Sequence, residues 1–324
     1  MPVFCQRLAI APMIAWTDRH YRRMMRFITR QTMLYTEMIS TGAIIHGPRD
    51  RLLAFSLAEK PLTLQLGGSN PNDLVYAAKI AEDLGVDEIN LNVGCPSDRV
   101  VKGAFGLSLM YRPELVAECV AALKNALTIP VSVKCRTGVD TLDSFEYLKA
   151  FIDGIVKAKA DFICIHARKG WLKGLSPREN RTIPPLHYDT VDRIKALFPE
   201  TRIGINGGIK DFAEAKAHLK KVDSVMIGRE AYHNPMRFKN ADALFYGQPP
   251  AEISAFEVAE ALIPYIEKEL KNGNCKLSQI TRHTLNLFNG QPNARAYRRY
   301  LSEHANAPNA GVEVFKEALC LLTQ

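Results

Sequence analysis

The sequence predicts an α/β fold, a parallel (β/α)8 barrel followed by a C-terminal all-helical domain. Between positions 8 and 227, eight short apolar runs alternate with helix-length amphipathic stretches, the pattern of β/α units around a parallel sheet. That alternation stops after Tyr246-Gly247-Gln248-Pro249-Pro250, a natural domain boundary. Polar residues gather just where the apolar runs end, and barrel enzymes build their sites at the C-terminal ends of their strands. An open doubly wound sheet accommodates eight such units less well. A chain of 324 residues has room for a large domain and a small one, expected here at 1–246 and 251–324.

The eight runs are 8–12, 33–36, 62–66, 88–91, 131–134, 162–166, 203–206 and 224–227. Helices are expected over 71–84, 113–126, 143–157 and 211–219, with apolar residues three and four apart. Two of them begin with proline, which suits a first helical turn. Beyond the Gly/Pro cluster, Ser254 and Glu257 form a capping box ahead of Val258, Leu262, Ile266 and Leu270. A second helix is expected over 276–287, closed by Asn289-Gly290. Pro292 opens a third, bearing Arg295, Arg298 and Arg299, and a fourth covers 312–322.

At the strand ends the chemistry concentrates. Met13 follows the first run, Gln65 ends the third, Lys134 the fifth and His166 the sixth; Asn92 and Cys95 follow the fourth. Taken singly, a histidine closing an apolar strand is a satisfied core residue and a lysine there snorkels; together on one rim they read as a site. Asn206-Gly207-Gly208 and Gly228-Arg229 end the last two runs. Glycines there either make tight turns or let backbone N–H groups approach a phosphate, as in the barrel phosphate site after strands seven and eight. Cys95 lies in Leu91-Asn92-Val93-Gly94-Cys95-Pro96, where a strand pattern stops on a glycine, a thiol and a proline. A free cysteine is commonly inert core filler, but one in a shaped loop at a strand end can offer its thiol to a pocket.

Composition bounds the rest. An apolar fraction of 47% and a charged fraction of 23% are ordinary for a soluble globular protein. No apolar stretch is long enough to span a membrane and the N-terminus lacks a signal-peptide pattern, so a cytoplasmic protein is expected. The seven cysteines, at 5, 95, 119, 135, 164, 275 and 320, include no Cys-x-x-Cys and no zinc spacing, so neither disulfides nor a metal is expected, and Cys119, Cys135 and Cys164 read as core. Lys and Arg number 42 against 34 Asp and Glu, a net charge of +8, which favours an anionic partner. Arginines cluster at 19, 22, 23, 26 and 30, at 178 and 181, and at 295, 298 and 299. Each cluster alone reads as a solvated face; three together suit phosphates.

From position 8 almost to its end the chain resembles the tRNA-dihydrouridine synthases. The resemblance rests on Ala11-Pro12-Met13, Gln65-Leu66-Gly67, Leu91-Asn92-Val93-Gly94-Cys95-Pro96, Val133-Lys134-Cys135-Arg136, Ile165-His166-Ala167-Arg168, Asn206-Gly207-Gly208 and Gly228-Arg229. Within that family it is most similar to the A-type bacterial enzymes, which reduce uridines at positions 20 and 20a of the tRNA D-loop, through Trp16-Thr17-Asp18-Arg19-His20, Ser176-Pro177-Arg178-Glu179-Asn180-Arg181 and Asn293-Ala294-Arg295-Ala296-Tyr297-Arg298-Arg299-Tyr300.

The resemblance implies a TIM barrel over 1–246 that binds FMN, a helical tRNA-binding domain over 251–324, and NADPH as electron donor. Pro12, Met13, Ile14, Ala15, Gln65, Lys134 and His166 would surround the flavin, Lys134 stabilising negative charge on the reduced ring. Asn206, Gly207, Gly208, Gly228 and Arg229 would hold mainly its phosphate end. The A-type pattern often carries an acidic residue where this chain has Ala15, which removes any contact made by that side chain. Saturating the uracil C5–C6 bond takes a hydride at one carbon and a proton at the other: the expected sources are reduced flavin for C6 and the Cys95 thiol, as general acid, for C5. A free thiol is mostly protonated at neutral pH, which suits a donor.

Asn92 is expected to orient the uracil edge, or else to form a turn. Arg178, Arg181, Arg295 and Arg298 are expected on tRNA phosphates, with Lys169 and Trp171 adding charge and a stacking surface. The expected partner is the tRNA D-loop, with no membrane, no metal and a monomeric chain. Two rival readings remain: a flavin barrel reducing a free small molecule, which needs no basic helical domain, and an RNA-binding protein without catalysis, which needs no Cys95 and no cofactor rim.

Overall fold

A computed structural model describes residues 6–97, 100, 103–273 and 275–323; Cys5 lies outside them. The chain forms two compact units, one of residues 1–14 with 32–228 and one of 15–31 with 229–324.

The first unit is built on nine parallel strands: β1 (Leu8–Ile10), β2 (Met33–Tyr35), β3 (Ile39–Ser40), β4 (Leu62–Gly67), β5 (Glu88–Asn92), β6 (Val131–Arg136), β7 (Phe162–His166), β8 (Ile203–Asn206) and β9 (Ser224–Ile227). Neighbours run β2-β1-β9-β8-β7-β6-β5-β4, and β2 also pairs with β4, Leu34 opposite Leu62, which closes eight strands into a barrel. The short β3 pairs outside that ring with the end of β4, Ile39 opposite Leu66. Two residues leave no periodic signal, and β3 was not expected. All eight expected strands form; β6 continues two residues past Lys134 to Arg136 and β5 includes Asn92. Strands of a parallel barrel are covered on both faces, which is why they read as near-continuous apolar runs.

The outer helices begin where local chemistry lets them. Asn70 accepts from the backbone N–H of Asn72 and Asp73 ahead of Pro71–Asp83, and Ser144 accepts from Tyr147 ahead of Phe145–Lys157. Pro113–Ala126 and Phe212–His218 complete the expected set, within two residues at each end. Inside the barrel Ala9, Ala11, Met33, Tyr35, Phe162, Cys164 and Met226 form a packed apolar cluster. Cys119, Cys135 and Cys164 are fully buried and unpaired, as expected of core cysteines.

The second unit joins helix Arg19–Ile28 to the helices after Gly228. This division differs from the expected single cut near the Gly/Pro cluster, and its physical reason lies in long-range partners. Trp16 stacks on Tyr232 with ring centroids 4.4 Å apart, and Tyr21 donates its hydroxyl to the Ala231 carbonyl at 2.9 Å. The capping box at Ser254 opens Ala255–Lys271 as expected. The expected helix over 276–287 is shorter, Leu277–Thr281 followed by a 3-10 turn at Thr284–Asn286. The third expected helix is Ala294–His304, preceded by Asn293 in the left-handed region, and the fourth is Val312–Cys320.

Three of the four arginines of helix Arg19–Ile28 are taken up by internal partners, while Arg23 lies 4.5 Å over the Phe27 ring. Arg22 and Arg26 are buried, donating to the carbonyls of Thr17 and Thr29 at 2.8 and 3.0 Å, and Arg19 pairs with Glu269. Among the described residues no helix is long and apolar enough to cross a membrane, and no group of three or more His, Cys, Asp or Glu could hold a metal.

Candidate active site

The C-terminal rim of the first unit's barrel brings the predicted residues of β4 to β9 together. Gln65, Asn90 and Ser132 are register partners on β4, β5 and β6. Their side chains bond in series: Gln65 Nε2 donates to Asn90 Oδ1 at 2.7 Å, and Asn90 Nδ2 to Ser132 Oγ at 2.7 Å. One step nearer the rim, Asn92 Nδ2 donates to Gln65 Oε1 at 2.8 Å. Asn92 Oδ1 then accepts the backbone N–H groups of Gly94 and Cys95 at 3.2 and 3.0 Å. The carboxamide of Asn92 is therefore the buckle of the Cys95 loop, and only its remaining amide hydrogen is left for a substrate.

Cys95 is half-buried, its Sγ 3.5 Å from Ser97 Oγ. Arg136, at the end of β6, fixes the loop from its other side. Its Nε donates to the Gly94 carbonyl at 2.8 Å and one terminal nitrogen to the carbonyls of Lys169 and Asn180, each at 3.0 Å. This buried guanidinium ties the thiol's loop to the loop after β7, a role its place in Val133-Lys134-Cys135-Arg136 did not disclose. Burial lowers its pKa to about 10, still far above neutrality, so it stays charged.

Further round the rim, Lys134 Nζ donates to Asn206 Oδ1 at 3.0 Å, and Asn206 Nδ2 donates to the Met226 carbonyl at 2.7 Å. Burial lowers the Lys134 pKa, and burial with the nearby charges of Arg136 and Lys134 holds His166 neutral. The rim thus offers the Lys134 amine, a neutral imidazole and oriented amides beside the Arg136 guanidinium. Gly207 has φ 118°, and a Cβ there would sit 2.6 Å from His166 Cδ2; Gly208 has φ 74° and faces Leu186 as closely. Gly228 differs: a Cβ would meet only Ala11 and Met13 at ordinary contact distance, 3.7 and 3.8 Å. Its own neighbours leave room for a side chain, so the bare backbone there fits close approach of a ligand instead.

This rim belongs to a chain whose residues 9–321 match the family model described as Dihydrouridine synthase (Dus). The chain belongs to the dihydrouridine synthase family. It is 51% identical over 319 residues to a tRNA-dihydrouridine(20/20a) synthase of Yersinia pestis, covering 98% of this chain and 92% of that one. It is 53% identical over 310 residues to the protein of the same name from Shewanella oneidensis, covering 96% and 92%. Among solved structures, an old yellow enzyme homologue from Zymomonas mobilis shares the barrel fold at TM-score 0.54 and 13% identity, over 76% of this chain and 90% of that one.

The rim residues of this synthase-family barrel fit a flavin. The bare backbone at Gly228 and the amides of Gly207 and Gly208 would suit a phosphate, and Lys134, Gln65 and neutral His166 would offer polar partners to the ring. Pro12 and Met13 are half-buried; Ile14 is 61% exposed. Ala15 and Arg229 follow directly in sequence but belong to the second unit, Ala15 with φ 63° and Arg229 opening helix Arg229–His233.

The expected RNA contacts are distributed over both units. Arg178 and Arg181 are exposed on the loop after β7. On that loop Lys169 pairs with Asp143 at 2.6 Å and lies 4.6 Å above the Trp171 ring, so its charge is already shared. In the second unit a recess of about 660 Å³ opens at the N-terminus of helix Ala294–His304, lined by Gln291, Asn293, Arg295, Arg298 and Arg299. No side chain caps that helix end; the Ala294 N–H bonds the Gln291 carbonyl at 3.4 Å.

Proposed function

We propose that this chain is an FMN-dependent tRNA-dihydrouridine synthase acting on positions 20 and 20a of the D-loop, with NADPH as reductant and the cytoplasm as its location. The observation that carries the reading is the double clamp on the Cys95 loop, Asn92 Oδ1 on two backbone N–H groups and Arg136 on the Gly94 carbonyl, at a rim fit for a flavin. Reduced flavin, when bound, would supply the hydride that saturates uracil at C6. The chain supplies the rest. The thiol of Cys95 gives its proton to C5 and is reprotonated from solvent, a general-acid role. Asn92 holds that thiol's backbone in place and has one amide hydrogen left for the uracil edge. Lys134, its pKa lowered by burial, would place its amine beside the ring, where negative charge develops on reduction.

A loop nucleotide reaches a barrel mouth only by leaving its stack, at a cost of a few kcal/mol. Arg178, Arg181, Arg295 and Arg298 offset that cost through phosphate contacts. Anaerobic reduction by NADPH followed by a tRNA transcript tests the reading: flavin reoxidation should track dihydrouridine formation. Reoxidation by small enoates but not by tRNA would overturn it. Cys95→Ala should keep the flavin and NADPH oxidation yet lose at least a hundredfold in dihydrouridine yield, read by mass spectrometry; an unchanged yield would remove the acid role.

A further inference from the structure

We propose that Asn90, Ser132 and Glu88 are positioning residues for Cys95, the inner links of a one-way hydrogen-bond chain that begins at the Cys95 loop and ends on a carboxylate inside the barrel. The role of Cys95 rests on the function proposed above; the chain itself rests on geometry. The backbone N–H groups of Gly94 and Cys95 can only donate, so Asn92 must present its oxygen to them. That choice leaves Asn92 Nδ2 to donate to Gln65 Oε1, Gln65 Nε2 to Asn90 Oδ1, and Asn90 Nδ2 to Ser132 Oγ. The Ser132 hydroxyl, which accepts there, donates to Glu88 Oε1, the nearer of its two acceptors, the Ile89 carbonyl lying at 3.5 Å. Glu88 Oε1 also accepts from the Tyr35 hydroxyl at 3.3 Å, which in turn accepts from Gln6 Nε2 at 3.0 Å.

Every amide in the series has one permitted orientation, because the pure donors at the loop end fix Asn92 and each amide then fixes the next. Reversing any one of them would set two donors or two acceptors face to face, at a cost comparable to an unmade buried hydrogen bond. Glu88, Asn90, Ser132 and Gln65 are all almost fully buried. Barrel interiors are ordinarily filled with branched apolar side chains, and polar groups there cost free energy unless bonded. Here the bonding has a direction, and the direction leads to the loop that carries the thiol. The end of the chain needs an acceptor oxygen rather than a charge.

The experiment compares Ser132→Ala, Asn90→Leu, Glu88→Met and Glu88→Gln in the flavin-loaded protein. Hydrogen exchange at the Gly94 and Cys95 amides, read by NMR without tRNA, reports the buckle directly. The amide of Val93, bonded to the Lys134 carbonyl at 2.8 Å, is the internal control. Ser132→Ala, Asn90→Leu and Glu88→Met should speed exchange at Gly94 and Cys95 about tenfold and leave Val93 unchanged. The same three should lower kcat for dihydrouridine formation about tenfold with KM for tRNA and the NADPH half-reaction unchanged. Glu88→Gln, which keeps an acceptor oxygen, should restore both.

Unchanged exchange in Ser132→Ala and Glu88→Met would overturn the positioning chain, as would equal loss in Glu88→Gln and Glu88→Met. Altered exchange in a wild-type background that forms no dihydrouridine would overturn the proposed function and leave the chain standing.

Discussion

Glu88 carries the price of a polar barrel interior. Burial raises its pKa to about 7, with the hydrogen bonds from Ser132 and Tyr35 pulling the other way. A carboxyl raised in the folded state binds its proton more tightly there than in the unfolded chain. Stability therefore falls as pH rises between the unfolded value near 4.5 and about 7, by a total of ~3 kcal/mol, and is level on either side. Glu88→Gln lacks this titration. Measured by urea unfolding, its stability relative to wild type should improve by up to ~3 kcal/mol between pH 5 and pH 8; a constant difference would show that the carboxyl is not perturbed. At this scale the sequence was only partly legible. Cys95, Gln65, Lys134 and His166 stood out because they interrupt or end apolar runs. Glu88 and Asn90 did not, although Glu88, Asn90 and Asn92 alternate along β5 and so point to one face. Reading that alternation as an inward polar row required knowing that Ser132 and Gln65 lie in register beside it, which is a property of the closed barrel.

Among the elements, helix Arg19–Ile28 shows why a local pattern can mislead. Its arginines repeat at helical spacing, yet Arg22 and Arg26 are spent on backbone carbonyls within their own segment. What fixes the helix is Asp18. Its carboxylate caps the backbone N–H groups of His20 and Tyr21, pairs with Arg282 at 2.5 Å and meets His283 Nε2 at 3.0 Å. Burial alone would raise the Asp18 pKa, but His283 and the backbone N–H of Tyr21 hold it well below the usual carboxylate range, while burial lowers the His283 pKa. A depressed carboxylate contributes stability above its unfolded pKa near 4 and loses that contribution as pH falls below it. Asp18→Ala should cost ~2–3 kcal/mol at pH 7, from the lost cap and a stranded buried histidine. Asp18→Asn, which keeps a capping oxygen, should cost ~1 kcal/mol less. Trp16 fluorescence on denaturant unfolding reads both, and the penalties should shrink below pH 4. The partners of this helix, Tyr232, Glu269 and His283, lie at the far end of the chain, and no spacing rule connects them. The capping box at Ser254 was legible because Ser254 and Glu257 satisfy each other's backbone within four residues.

For the molecule as a whole, the net charge of +8 is small for a nucleic-acid partner, and its distribution decides more than its size. After Arg19, Arg22 and Arg26 are assigned to internal partners, the exposed arginines in the predicted clusters include Arg178 and Arg181 in the first unit and Arg295 and Arg299 in the second. Arg298 is half-buried, donating to Asn289 Oδ1 at 3.0 Å beside the helix N-terminus. If each unit contributes phosphate contacts to the same tRNA, their counterion releases add. The slope of log K against log salt should then flatten by about one in Arg178→Ala, by about one in Arg298→Ala, and by about two in the double variant. Fluorescence anisotropy with a full-length tRNA transcript over a salt series measures it. A slope moved by Arg178→Ala but not by Arg298→Ala would remove Arg298 from the phosphate contacts and leave its guanidinium a structural partner of Asn289.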